Sequence, residues 1–272
     1  MELIAENINI VDPLLAPALA AMDAEPITRL IKTAVQQGID IFDLNVGSHT
    51  HKAPRLMAFL LEKVFPSFPR LTVCLDSTNT KALEVGLSLA SRQQRPVIVN
   101  ALSLEAKKWD QILPLLQEYE QSQVVLLLMT PQVPRGAEER LVTALEGCER
   151  LVQAGISLDR LIIDPVVVPL GWGDGHLHSG EILKFLHLLP EALSQPVKTM
   201  VGLSNITTSS TGRPVRQDVE VVFLSMLTAI GLDYAMVNVR HWSLIRTARM
   251  IKSLQGEEIF SPASLEESPS QP

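Results

Sequence analysis

The sequence predicts an α/β protein folded as a single (β/α)8 TIM barrel. Three observations point there. Short apolar runs recur along the chain and keep ending on a carboxylate or a carboxamide. Helix-length amphipathic segments separate most of them, and the 272 residues match the size of one such barrel. In a parallel barrel the polar groups at strand carboxyl ends converge on one mouth, where such folds do their chemistry. The repeated pattern therefore predicts the place of the site as well as the fold.

The elements follow in order. Leu3–Ala5 leads into Glu6, Asn7 and Asn9, and a first helix is expected over Pro26–Gln37. Its Ile27, Leu30, Ile31 and Ala34 share one face, and Gly38 stands where a left-handed C-terminal residue is expected. Ile39–Phe42 leads to Asp43 and Asn45, before a helix over Pro54–Phe65 that Pro66 and Pro69 end. Leu71–Leu75 leads to Asp76; Ser77 or Thr78 is expected to cap a helix that carries Leu83, Leu87 and Ala90 inward. Val97–Val99 closes on Asn100, with a helix over Lys107–Tyr119. Val124–Met129 closes at Thr130, with a helix over Ala137–Ala154 before Gly155. Leu161–Ile163 leads to Asp164 and a helix over Ser179–Leu189. Met200–Leu203 leads to Ser204 and Asn205 and a helix over Asp218–Ile230; Tyr234–Val239 closes around Asn238, before a helix over Ser243–Leu254.

Strand starts lie about 25 to 40 residues apart, enough for a right-handed crossover each time. A doubly wound open sheet competes, but no G-x-G-x-x-G turn follows the first strand. The barrel is expected over residues 1–260, with the polar, Pro/Ser-rich 261–272 (SPASLEESPSQP) as a flexible tail.

Apolar residues make up 46% of the chain and charged ones 19%, so a large core is affordable. No apolar stretch reaches the roughly 18 to 20 residues of a membrane helix, and no basic segment precedes an apolar one at the start. A cytoplasmic location is expected. The net charge of −7 and an isoelectric point near 5.4 argue against nucleic-acid binding. Cys74 and Cys148 read as buried thiols in a reducing compartment, and no zinc or iron–sulfur ligand set is visible. His49-Thr50-His51 and His176-Leu177-His178 put paired histidines on loops, where solvation is the ordinary outcome, so no metal is expected.

Asp43, Asn45, Asp76, Asn100, Asp164 and Asn205 are the candidate site residues. Taken singly, each is as well explained by a helix cap or a loop hydrogen bond. Several at one barrel end suggest a polar ligand instead. Carboxylates and carboxamides without histidine or cysteine are poor equipment for nucleophilic catalysis. They suit a heterocycle offering N–H donors and ring-nitrogen acceptors, such as a 2-amino-4-oxo pyrimidine edge; a purine or a flavin also fits.

ENIN, FDLNVG, LTVCLDSTN, a strand ending in Asn100, LIIDP and KTMVGLSN occur in that order along the chain. From about Leu3 to Leu254 the sequence resembles the methyltetrahydrofolate:corrinoid iron–sulfur protein methyltransferases, a pterin-binding barrel family. The resemblance implies a homodimeric (β/α)8 barrel. It implies that Asp76, Asn100 and Asp164 hold the pterin ring, with Asp43 and Asn45 on the same side. It also implies that Asn205, next to Ser204, hydrogen-bonds toward N5. The implied reaction moves methyl from N5 of methyltetrahydrofolate to the Co(I) of a corrinoid (cobalamin) on a partner, with Asn205, Asp76 and Asp164 in catalytic roles. The partner is a corrinoid iron–sulfur protein or a small corrinoid protein, since no corrinoid-binding D-x-H-x-x-G motif occurs in this chain.

The chain departs from the family at AENIN in place of GERIN, which removes an arginine from the mouth, and at Met129-Thr130-Pro131. Gly171–His178 is also unusual; glycines beside Trp172 suggest a lid or a docking surface for the corrinoid protein. Lys52, Arg135, Arg213 and Arg216 are candidates to meet a folate carboxylate, against ordinary surface charge. A dihydropteroate synthase would share the barrel, but that family has Ser-Arg-Lys where this chain has Ser204-Asn205-Ile206. A non-catalytic pterin-binding protein is the third alternative.

Overall fold

The structure is a computed structural model and describes residues 1–48, 51–208 and 216–256. His49, Thr50, Arg213 and the 261–272 segment lie outside the described residues. Eight parallel strands close a barrel in chain order: β1 (Glu2–Asn9), β2 (Ile41–Asn45), β3 (Thr72–Asp76), β4 (Val97–Ser103), β5 (Gln123–Leu127), β6 (Leu161–Asp164), β7 (Lys198–Gly202) and β8 (Tyr234–Val237). β8 pairs back onto β1, leaving no sheet edge. Around it run α1 (Ala16–Ala21), α2 (Ala24–Gln36), α3 (Lys52–Phe59), α4 (Thr80–Arg92), α5 (Ala106–Glu118), α6 (Ala137–Gln153), α7 (Gly175–Ala192), α8 (Asp218–Ala229) and α9 (Trp242–Leu254). None of the described helices is long and apolar enough to cross a membrane.

The core divides into two. Residues pointing out of the barrel, such as Phe42, Val73 and Leu126, pack with the inner helix faces, for example Ile27, Ile31 and Ala34 of α2. A smaller cluster plugs the interior: Ile4, Ile41, Cys74, Ile98, Val125, Ile162, Met200, Tyr234 and Met236. Strand side chains alternate between faces with period two. Two residues beyond the plug, the same inward face therefore carries Glu6, Asp43, Asp76, Asn100, Asp164 and Asn238. The plug is the floor of the site, and that polar layer is its base.

Gly38, at φ +81, ends the α2 segment as expected. The short α1, before α2, was not expected. α4 is capped by Asn79, which accepts from the Ala82 amide, while Ser77 instead donates to the Gly47 carbonyl. α7 begins four residues before the expected Ser179. At Gly175 a Cβ would stand 2.1 Å from the Pro169 oxygen, so only glycine lets the helix start there. His178 thus lies on α7 and is buried, contrary to the expected solvated loop histidine.

Candidate functional site

A cavity of about 390 Å³ opens at the strand carboxyl ends, and Asp43, Asn45, Asp76, Asn100, Asp164, Ser204 and Asn205 all line it. These seven residues, the pterin-side set expected from the sequence, therefore meet at one mouth. Parallel register places Asn45 beside Asp76 and Asp76 beside Asn100. Asn45 Nδ2 donates to Asp76 Oδ2 at 2.5 Å, and Asn100 Nδ2 donates to Asp43 Oδ1 at 3.3 Å. These pairs orient the carboxyls and leave further acceptor positions directed at the cavity.

The acids are held by burial with little to neutralise them. Burial lifts Asp76 to about 6 against the Asn45 hydrogen bond. Asp43 is driven well above the usual carboxylate range by burial first, then by the charge of Asp76. Below them, burial and then Asp43 push the Cys74 thiol up, so it stays protonated and is no nucleophile.

Asp164 closes the other side. Its Oδ1 accepts the Val166 amide at 2.8 Å across a turn in which Val166 has φ +66, a costly conformation for a β-branched residue. Burial raises Asp164 to about 6; the Val166 amide and Arg140 pull it back. Arg140, fully buried on α6, fixes that turn by donating Nε to the Pro165 carbonyl at 3.0 Å. Its other nitrogens reach the Arg135 and Gly136 carbonyls and His178 Nδ1. Burial, then the Arg140 charge, depress His178, which suits a neutral ring accepting at Nδ1.

Asn205 sits on the 3-10 turn Leu203–Thr207 after β7, exposed to the cavity, and its side-chain amide has no partner among the described residues. The turn itself is anchored. Ser204 Oγ donates to Glu6 Oε2 at 2.9 Å, the Ile206 carbonyl accepts from the Leu170 amide, and Thr207 Oγ1 donates to Glu220. Glu220 Oε2 meets His241 Nδ1 at 3.0 Å, and both residues are buried.

Glu6 and Asp12 were not among the predicted site residues. Burial raises Glu6 to about 7, opposed by Ser204 and aided by Glu220 and Asp12. The sequence showed Glu6 only as one more polar end of a run. Asn7, standing where the resembling family has arginine, donates to Asn238 at 2.9 Å and accepts the Val239 amide. A guanidinium nonetheless reaches the rim: Arg240 Nη1 pairs with Asp12 at 2.6 Å. Burial pushes Asp12 up, but Arg240 and the Leu15 and Leu14 amides bring it below the usual range.

No lysine, arginine or histidine lines the cavity among the described residues. Arg135 lies near Asp174 and Arg216 pairs with Asp218; these and Lys52 stand away from it. Among the described residues no group of three or more His, Cys, Asp or Glu is placed to hold a metal ion.

Known proteins share this architecture. The methylcorrinoid:tetrahydrofolate methyltransferase of Eubacterium limosum is 22% identical over 242 residues, covering 88% of this chain and 85% of that protein. An uncharacterized protein of Methanocaldococcus jannaschii is 26% identical over 138 residues, 50% of this chain and 24% of its own length, so the chain spans about a quarter of that relative. Among solved structures, the dihydropteroate synthase of Xanthomonas albilineans with 4-aminobenzoic acid superposes with a TM-score of 0.63 at 16% identity, covering 96% of this chain and 94% of that one. That of Yersinia pestis in a sulfonamide drug complex gives 0.64 at 11% identity, covering 94% of each. At such identities the structures speak for the fold alone. The sequence profile described as pterin binding enzyme matches residues 12–238, which takes in all the inward polar layer except Glu6. With most of the chain matched and the barrel closed, this protein belongs to the pterin binding enzyme family.

Proposed function

We propose that the protein is a methyltransferase that moves the N5 methyl group of methyltetrahydrofolate to the Co(I) of a corrinoid held by a separate protein. One observation carries the proposal: an uncommitted carboxamide, Asn205, stands over an acid-rich layer with no cation among its described lining residues. The acids suit the amino and amide N–H groups of a pterin, with Asp76, Asn100 and Asp164 gripping the ring and Asp43 and Asn45 behind them. In the transfer the cobalt electron pair forms the Co–C bond while the C–N bond breaks. N5 keeps the C–N pair and takes a proton, leaving tetrahydrofolate and methyl-Co(III). Co(I) is already a strong nucleophile, so the protein's task is the leaving amine. A carboxamide that bonds N5 more strongly as it gains its proton lowers the transition state more than the ground state. Glu6, titrating near neutrality beside Ser204, is placed to feed that proton through the same turn.

The relative from Eubacterium limosum is named for the opposite direction, which passes through the same transition state. A dihydropteroate synthase is the second reading, favoured by the structural neighbours. It fits the site less well, because Ile206 is buried where that family is expected to place a lysine, and no cation among the described residues lines the cavity for a pyrophosphate. The resemblance also implies a homodimer. Val222 and Met226, one turn apart and exposed on α8, are side chains such an interface would cover. The buried free thiols Cys74 and Cys148 suit the reducing cytoplasm that Co(I) chemistry needs.

Calorimetric titration with methyltetrahydrofolate, followed by an anaerobic assay with Co(I) cobalamin, tests the proposal. Binding that Asp76→Ala abolishes, together with methylcobalamin formation, supports it. A folded protein that binds no reduced folate overturns it, and tight binding without transfer leaves only a pterin-binding role.

A further inference from the structure

Beside the main cavity lies a second cleft of about 430 Å³, lined by Gln217, Asn238, Arg240, His241, Trp242 and Ser243. Asn238 lines both, so the two adjoin across that residue. Their chemistry differs. The main cavity presents Glu6, Asp12, Asp43, Asp76 and Asp164 and no cation among its described lining residues. The cleft brings a guanidinium and an indole, with Trp242 42% exposed on the first residue of α9. Arg240 spends Nη1 on Asp12; its Nε and Nη2 make no other hydrogen bond among the described residues. The neighbouring carboxylates are already satisfied, Asp12 by Arg240 and the Leu14 and Leu15 amides, Glu220 by Thr207 and His241. The cleft also faces the amino end of α9, whose cap residue His241 makes no side-chain cap bond, and the dipole there adds to the attraction for an anion.

A ligand filling both spaces must be donor-rich at one end and flat and anionic at the other. We infer that this cleft is the subsite for the aryl-glutamate tail of a folate, with Trp242 against the aminobenzoyl ring and Arg240 meeting a glutamate carboxylate; the inference rests on the pterin reading of the main cavity. It also accounts for the rim arginine standing after β8, while the four cations predicted from sequence are either away from the cavity or outside the described residues.

The test compares two probes by calorimetry: 5-methyltetrahydrofolate and the tail-less 5,6-dimethyltetrahydropterin. The wild-type protein is expected to bind the folate about tenfold more tightly, the worth of one charge-assisted hydrogen bond. Arg240→Gln and Trp242→Ala should each remove most of that advantage while changing the pterin's affinity less than about twofold. Trp242→Ala does not touch the Asp12 pair, so it separates tail contact from a disturbed rim. Equal binding of both probes by the wild-type protein, or equal loss of both in the variants, overturns the subsite. A wild-type protein that binds neither probe instead removes the pterin reading on which the subsite depends.

Discussion

Ser204 Oγ donates to Glu6 Oε2 across 2.9 Å, joining the turn after β7 to a β1 carboxyl that titrates at about 7. Glu6 is not alone: Asp76 and Asp164 stand at about 6, and Asp43 is higher than an ordinary carboxyl. Each binds its proton more tightly folded than unfolded. Between the ordinary carboxylate range and about pH 7 the folded chain therefore holds more protons, and stability falls as pH rises through that window. The contribution is fully present below about pH 4 and gone above about 7, on the order of 2–3 kcal/mol for a carboxyl shifted this far. The ligand-free protein should melt at a higher temperature at pH 5.5 than at pH 8, and Glu6→Gln should flatten the slope. Scanning calorimetry across that range checks it; a melting temperature that climbs with pH contradicts it.

Asn205 is aimed at the cavity with its amide unspent, whereas Asn45 and Asn100 are each tied to a carboxylate. A group held in reserve for the reacting atom should matter to the rate more than to affinity. Asn205→Ala is expected to lower single-turnover methyl transfer about a hundredfold, as loss of one transition-state donor does, with the methyltetrahydrofolate dissociation constant within about threefold. A selective loss of affinity at normal rate would remove Asn205 from the chemistry.

The part of the site that local pattern alone makes legible is the part that rides on strands. Asp43, Asp76, Asn100 and Asp164 each follow an apolar run, and period two fixes them above the interior plug. β1 is harder because Glu6, Asn7 and Asn9 all follow one short apolar run, and only the packing of Ile4 into the plug marks Glu6 as the inward one of its layer. The proton affinity of Glu6 comes from burial by other strands, which no local pattern encodes. Asp12, Arg240 and His241 lie on loops without period, and their partners are 228 residues away for Asp12 with Arg240 and 21 for His241 with Glu220. Helix starts were misplaced for a similar reason. Ser77 reads as a cap and Ser179 as a helix start, yet Ser77 is drawn off to Gly47, and α7 starts early through close contact at Pro169.

Arg140 supports Asp164 from behind, donating to the carbonyls of Pro165, Arg135 and Gly136 and to His178. Burial lowers it to about 10, so it remains charged at neutral pH. Arg140→Met would leave several buried acceptors unpaired and free the Val166 turn. The expected cost is about 3 kcal/mol, seen as a lower urea midpoint, with weaker pterin binding. Arg140→Lys should not restore it, because an ammonium cannot span the positions of the planar fork. A lysine variant as stable as the parent would show that charge alone, and not the fork, holds the turn.

Glu220 links the two sides of the mouth: Thr207 donates to one carboxyl oxygen and His241 Nδ1 lies 3.0 Å from the other. Thr207 ends the turn that carries Asn205, so Glu220 touches no ligand yet sets where that amide stands. Glutamine can keep both contacts, accepting from Thr207 and donating to Nδ1 once the imidazole proton moves to Nε2; alanine keeps neither. Glu220→Ala should therefore reduce kcat about tenfold or more while leaving the methyltetrahydrofolate dissociation constant near its parent value, and Glu220→Gln should recover most of the rate. A purely structural role would lower the melting temperature of the alanine variant without this split between rate and affinity. Parallel steady-state kinetics, titration calorimetry and thermal melts on both variants distinguish the two, and a glutamine variant as slow as the alanine one would count against positioning through Thr207.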